Sequence, residues 1–424
     1  MIPVLLTSLV VLAVIGMPLA FVMGISATLG IAAHDFLPFE LVPQRTLNAL
    51  DKFPFLAVPM FILAGELMNT SGITARIIRF CMSLVGHMRG GLGLVNVLAS
   101  MFFAGISGSA TADAAGLGKV LIPAMIREGF DDDYAVAITA ASSTIGPIIP
   151  PSVLMIVYAS MTNLSVGRLF LAGLVPGLLI GLALMVLAYV YAVRRGYPRQ
   201  EWKGFRELGR AFRNAVLPLI APIIIIIGIV GGVFTATEAG TVVVMYAFAL
   251  GHAYGELDRK ALYRAMVQAV ESTTVILFII ASASILGWLL AMGKFPAMLI
   301  DLLTGLSSDV NVLILLIVVS LLFLGLVMDS MAILVILVPV MTPVAQALGI
   351  DPIHFATLMV VCVMIGGVTP PVGILLYIAC QVGGVPLSRV TRTIWHFVAI
   401  MVFITLLVAY IPPLTTWLPN VLFD

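Results

Sequence analysis

Residues 140–152 read AASSTIGPIIPPS. A helix entering from Tyr134 cannot run through this stretch, because Pro147, Pro150 and Pro151 have no N–H to donate; it must break near Gly146 and restart near Pro151, where proline suits a first helical turn. The break stands in apolar surroundings. The chain of 424 residues is 62% hydrophobic and only 10% charged, against about 25% charged for soluble domains. Long stretches, such as 2–34, 134–167 and 393–423, contain no Asp, Glu, Lys or Arg. A helix needs about 20 apolar residues to cross a bilayer, so the break lies at membrane depth. Only helices and closed barrels satisfy the backbone there, and runs such as PIIIIIGIVGG (222–232) are apolar on every face, unlike a barrel strand. The fold expected is an all-α polytopic membrane protein.

The break recurs. IGPIIPPS, from Ile145, returns as IGGVTPPV, from Ile365, 220 residues later. Gly105 and Gly325 keep that offset, as do Gly129 and Gly349; Arg168 and Arg389 follow one residue later, and Gly65 and Gly287 sit 222 apart. Asp113 and Pro123 match Asp329 and Pro339 at an offset of 216, which predicts a second copy longer by one turn between Pro339 and Gly349. On this reading Asp113 and Asp329 occupy equivalent places.

Each copy also holds two short apolar arms joined by a polar tip, over 90–126 and 310–349, which reads as a re-entrant hairpin. Arg89 and Arg127 flank the first, Asp309 and Asp351 the second. Positive charge marks the cytoplasmic side, so the two hairpins enter from opposite faces. Inverted-topology repeats with broken helices at the midplane characterise secondary transporters. Between the copies, Arg194, Arg195, Arg199, Lys203, Arg206, Arg210 and Arg213 face only Glu201 and Glu207. Trp202, Phe205, Leu208 and Phe212 recur there at helical spacing, predicting an amphipathic cytoplasmic helix along the membrane surface.

Unwound carbonyls at this depth are tolerated where they line a site; with Ser and Thr hydroxyls they are hard oxygen ligands suited to Na⁺. The restarted helices aim positive N-termini inward, a location for an anion. The tips GISGSATAD (105–113) and GLVMDSMA (325–332) add small residues, the hydroxyls of Ser107, Ser109 and Thr111, and Asp113 and Asp329. A carboxylate at membrane depth is a functional hypothesis by default, although each Asp is equally suited to cap the following helix. Lys119 reads as a residue snorkelling to the surface, and Glu66 and Glu238 as helix-end groups.

Other classes are excluded or disfavoured. A net charge of +1 gives no basic footprint for nucleic acid. Cys81, Cys362 and Cys380 lack metal-ligand spacing, the five histidines do not cluster, and no Walker A sequence occurs. No cofactor is expected, and the chain is not expected to be an enzyme. GISG at 105–108 matches the G-x-S-G form of rhomboid-type intramembrane serine proteases, but no histidine is well placed to partner Ser107. The first apolar stretch is too long for a signal peptide and reads as a retained membrane segment.

At five places the chain resembles the large membrane subunit of tripartite ATP-independent periplasmic (TRAP) transporters of the C4-dicarboxylate and sialic-acid type: GSATADAAGLGKVLIPAM (108–125), ASSTIGPIIPPSVLMIVYA (141–159), FTATEAGTVVVMYA (234–247), GIDPIHF (349–355) and IGGVTPPVGILLY (365–377). The resemblance runs over essentially the full length. It implies a bacterial inner-membrane, Na⁺-coupled permease that imports a carboxylate-bearing organic acid by an elevator motion, with Na⁺ as coupling ion. It also implies a small four-helix membrane subunit and a periplasmic substrate-binding protein as partners. Scaffold helices would occupy 1–89 and 215–308, transport-domain helices 90–193 and 309–424, and the basic connector 194–214. Carried over by position, one Na⁺ site would use Ser107, Ser109, Gly146 and Pro150, and a second Gly325, Asp329, Gly366 and Thr369. Substrate would meet Asp113, Pro151, Ser152 and Pro371. A stand-alone Na⁺/divalent-anion symporter of similar hairpin architecture is the alternative.

Overall fold

The computed structural model describes residues 1–34 and 36–423, and every regular element among them is helical. Gly16 (φ +86°) and Pro18 separate α1 (Ile2–Val14) from α2 (Leu19–Ala32), so the first apolar stretch is two short helices. After α3 (Leu41–Leu50) and a 3₁₀ turn at Phe53–Leu56 come α4 (Ala57–Thr70) and α5 (Ile73–Val85). The first hairpin is α6 (Gly91–Ser107) and α7 (Ala110–Arg127), joined by Gly108 and Ser109. The first broken helix is α8 (Asp132–Ser143) and α9 (Val153–Thr162), followed by α10 (Val166–Arg194). The second half begins with α11 (Gly204–Val230), α12 (Ala236–Ala253), α13 (Arg259–Met292) and α14 (Phe295–Leu306). Its hairpin is α15 (Val310–Gly325) and α16 (Ser330–Ala347), and its broken helix α17 (Pro352–Gly366) and α18 (Ile374–Gly383). The last elements are α19 (Leu387–Tyr410) and α20 (Pro413–Phe423).

Both hairpins and both breaks fall where the repeated sequence puts them, but the register between the halves differs from the one expected. Ala110 and Ser330 open the second arms, and Arg127 and Ala347 close them; both arms have 18 residues. No extra turn lies between Pro339 and Gly349. Pro123 of α7 corresponds to Pro343 of α16, both inside their helices. Asp329, the N-cap of α16, therefore corresponds to Ser109, the N-cap of α7, and Asp113 corresponds to Ile333. The two aspartates are not equivalent.

Packing repeats the duplication. α12 lies on α4 as α2 lies on α13; α6 meets α8 as α15 meets α17; α18 meets α7 as α9 meets α16. The pairs α4 with α13 and α10 with α19 are the ones a pseudo-twofold axis maps onto themselves, and both are in contact. The molecule is thus built of two halves related by a pseudo-twofold axis, whose hairpins and broken helices interlock.

One element departs from expectation. The helical part of the basic connector is not a separate surface helix, because α11 runs unbroken from Gly204 through Pro218 and Pro222 to Val230. Ala211 and Ala215 are buried against Phe80 and Leu84 of α5 on one continuous face, so the contact that holds the basic end also carries the helix onward. The prolines remove individual backbone bonds that packing in a membrane tolerates.

Candidate functional site

The site is built where tips meet breaks. At the first tip Gly108 is left-handed (φ +59°), and a Cβ there would stand 2.5 Å from the Pro151 carbonyl oxygen of the first break. Only glycine allows both that turn and that approach. Ser109 is extended, its Oγ capping α7 at the Ala112 N–H and standing 3.0 Å from Thr111 Oγ1. The Ser107 hydroxyl donates to Asp113 Oδ1 at 2.5 Å. Asp113 is 1% exposed, and its second oxygen, Oδ2, has no hydrogen-bond partner. That oxygen points at Gly146, where a Cβ would stand 2.5 Å from it. An unpaired carboxylate oxygen in so dry a place is costly unless a cation or proton joins it.

The first break is held by its own side chain: Ser152 Oγ donates to the Pro147 carbonyl at 2.5 Å and accepts from the Met155 N–H at 3.2 Å, capping α9. The second break has no side-chain bond of this kind and is crossed instead by the Leu375 N–H donating to the Gly367 carbonyl at 2.9 Å. α18 starts at Gly373 (φ +38°) without a side-chain cap, and Thr369 donates back to the Ile365 carbonyl of its own helix at 2.7 Å. The peptide bonds Pro150–Pro151 and Pro370–Pro371 are both cis. At the second tip Asp329 accepts from the Met331 N–H at 2.9 Å, and Gly325 meets Gly366 backbone to backbone; a Cβ on Gly325 would stand 2.6 Å from the Gly366 Cα.

Tips and breaks of both halves border one cavity of about 550 Å³. One wall is Ser107 to Ala112, Met328 to Met331, Pro147, Gly367 and the starts of α9 and α18; the facing wall is α4 and α13, through Glu66, Asn69, Glu271 and Ser272. Of the residues singled out at the tips in the sequence, Ser107, Ser109, Thr111 and Asp329 line this space. Gly146, Pro150, Pro151, Ser152, Gly325, Gly366 and Thr369 lie at the tips and breaks behind it, and Asp113 is enclosed behind Ser107. Pro371 is exposed and borders no part of the cavity.

Sequence reasoning missed the facing wall. Glu66 is not a solvated helix end but a cavity residue, as is Glu271 of α13; a charge inside an apolar helix is the signal that marks both. Glu238 does what was expected, forming a capping box with Thr235.

The family model described as "Tripartite ATP-independent periplasmic transporter, DctM component" matches residues 6–414. The chain belongs to the DctM family. This DctM-family permease is 41% identical over 406 residues to the sialic acid TRAP transporter large permease protein SiaM of Vibrio cholerae, covering 96% of this chain and 95% of that one. It is 36% identical to the C4-dicarboxylate TRAP transporter large permease protein DctM of the same organism, covering 96% and 95%. It is 35% identical to the 2,3-diketo-L-gulonate TRAP transporter large permease protein YiaN of Escherichia coli, covering 94% of each. Among solved structures, the Alcanivorax borkumensis YdaH transporter superposes with a TM-score of 0.61 at 16% identity, over 90% of this chain and 89% of that one. That likeness concerns the fold.

The DctM-family permease is a multi-pass inner-membrane protein. Six of its described helical stretches are long and apolar enough to span, including Val166–Arg194 and Arg259–Met292. Its relatives are permease subunits, not enzymes. The GISG serine accordingly has a structural partner in Asp113 and no protease role.

Proposed function

We propose that this permease couples Na⁺ to the import of a carboxylate-bearing organic acid, of the sialic-acid or C4-dicarboxylate kind that its relatives' names carry. A periplasmic binding protein delivers the solute, and a small four-helix membrane subunit braces the scaffold. The observation that supports this reading most is the convergence of two hairpin tips and two helix breaks on one cavity whose other wall belongs to α4 and α13. An anionic solute there faces the N-termini of α7, α9, α16 and α18, each favourable to negative charge. Hairpins and broken helices, 90–193 with 309–424, move as one body against the scaffold helices of 1–89 and 215–308, in an elevator motion.

The same geometry supports two ion sites. The first uses Ser107, Ser109 and the break around Gly146 and Pro150, and Asp113 joins it through its unpaired oxygen. The second uses Gly325, Asp329, Gly366 and Thr369. Substrate sits between them, toward Pro151 and Ser152; Pro371, on the exposed side, is left out of the contact set.

Uptake of labelled organic acids into proteoliposomes holding both membrane subunits tests the reading. Initial uptake should require Na⁺ inside-directed and the binding protein outside. Equal rates after K⁺ replaces Na⁺ would remove the ion sites, and equal rates without the binding protein would favour the stand-alone symporter.

A further inference from the structure

The stretch from the end of α10 into α11 carries more positive charge than its fold uses. Arg195 is taken up by Asp131 and Asp133, and Arg210 by Glu207. Among the described residues, Arg194, Arg199, Lys203, Arg206 and Arg213 form no ion pair, and all are exposed. Against them stand Glu201, which is exposed, and Glu207, whose carboxylate is shared between Arg210 at 3.0 Å and Arg79 at 3.8 Å. Large apolar side chains are interleaved with these cations: Trp202 is 43% exposed, Phe205 81% and Phe212 49%.

The backbone here is not a loose loop. The Pro198 carbonyl accepts from the Gly90 N–H at 3.0 Å, Tyr197 is buried with its ring 4.5 Å from Phe130, and Trp202 packs edge-on to His87 at 4.6 Å. Between α5 and the connector lies a cavity of about 90 Å³ bordered by Arg79, His87, Trp202 and Lys203, together with Glu201 and Glu207. Farther along α11 the exposed side chains become wholly apolar, with Leu217, Ile223 and Ile227.

From these we infer that residues 194–213 bind anionic phospholipid headgroups at the cytoplasmic surface. Cations and aromatic rings on one short stretch match the headgroup layer, and the apolar face of α11 continues directly into hydrocarbon. A soluble anion would have use for the cations but not for Phe205 and Phe212. The connector joins α10, the last helix of the first half, to α11, the first of the second, so lipid held here fixes that junction to the membrane plane.

Phosphatidylglycerol retained by the purified transporter complex, measured by native mass spectrometry, reads this directly and does not depend on which solute or ion is carried. Changing Arg199, Lys203, Arg206 and Arg213 together to Gln should lower retention about tenfold or more, since each cation near an anionic surface contributes about 1 kcal/mol. In the unmodified complex, retention should fall as salt rises. In vesicles of phosphatidylcholine with about 30 mol% phosphatidylglycerol, uptake should exceed that in phosphatidylcholine alone by about threefold, and the variant should lose the difference. Unchanged retention in the variant, or retention indifferent to salt, overturns the inference. Displacement of the lipid by inorganic phosphate at millimolar concentration would overturn it too, showing a soluble-anion site.

Discussion

Asp113 is the residue whose surroundings are hardest to explain by folding alone. One oxygen receives the Ser107 hydroxyl, and the other is buried and unpaired beside Gly146. Asp113→Asn keeps the shape and an oxygen for Ser107 but removes the charge. A hydrogen bond or ligand contact to a charged group contributes about 1.5–3 kcal/mol, so the Na⁺ concentration for half-maximal uptake should rise about tenfold or more. Flux measured against Na⁺ checks this, and an unchanged Na⁺ curve would remove Asp113 from the ion site. Gly108→Ala tests the tip itself: a left-handed backbone and a Cβ 2.5 Å from the Pro151 oxygen should cost about 1–3 kcal/mol, read as a lower unfolding temperature in detergent.

At the scale of the element, Asp329 combines two roles that separate by substitution. Its side chain caps α16 at the Met331 N–H, and it faces the cavity. Asp329→Asn retains an N-cap, whereas Asp329→Ala loses about 1 kcal/mol of capping. Thermal unfolding should therefore drop for Ala and hold for Asn, while both raise the Na⁺ requirement. If Asn transports with the ordinary Na⁺ curve, Asp329 is a cap only. Elements were the most legible level in the sequence. GPIIPPS and GVTPPV placed both breaks, and paired apolar arms joined by a polar tip placed both hairpins. Asp113 and Asp329 share an identity but not a helical position: a cap is defined by its extended backbone, where Ser109 and Asp329 agree. The surface helix over the connector failed because Ala211 and Ala215 bury against α5, a tertiary contact that periodicity does not report.

Across the whole molecule, the two halves are bound at the connector end by Arg195. Its guanidinium meets Asp131 and Asp133 at 2.9 Å and Thr393 of α19 at 3.3 Å, and Tyr197 donates to Asp131 at 2.8 Å. α8, α10 and α19 thus share one polar knot. The groups are partly exposed, so Arg195→Gln should cost only about 1 kcal/mol, more at low salt than at high; thermal unfolding at two ionic strengths reads it. The cavity's far wall shows what the linear sequence withheld. Glu66 and Glu271 lie some two hundred residues apart and face one space only because α4 packs on α13.

The unequal fastening of the two breaks has a temporal consequence. The first is stapled by the Ser152 hydroxyl across to Pro147, whereas the second begins its helix at a bare glycine. Amide deuterium should therefore enter 367–373 sooner than 144–152. Two breaks that open at different rates make the two halves unequal in time although they are alike in topology, and that inequality is written into one serine and one glycine.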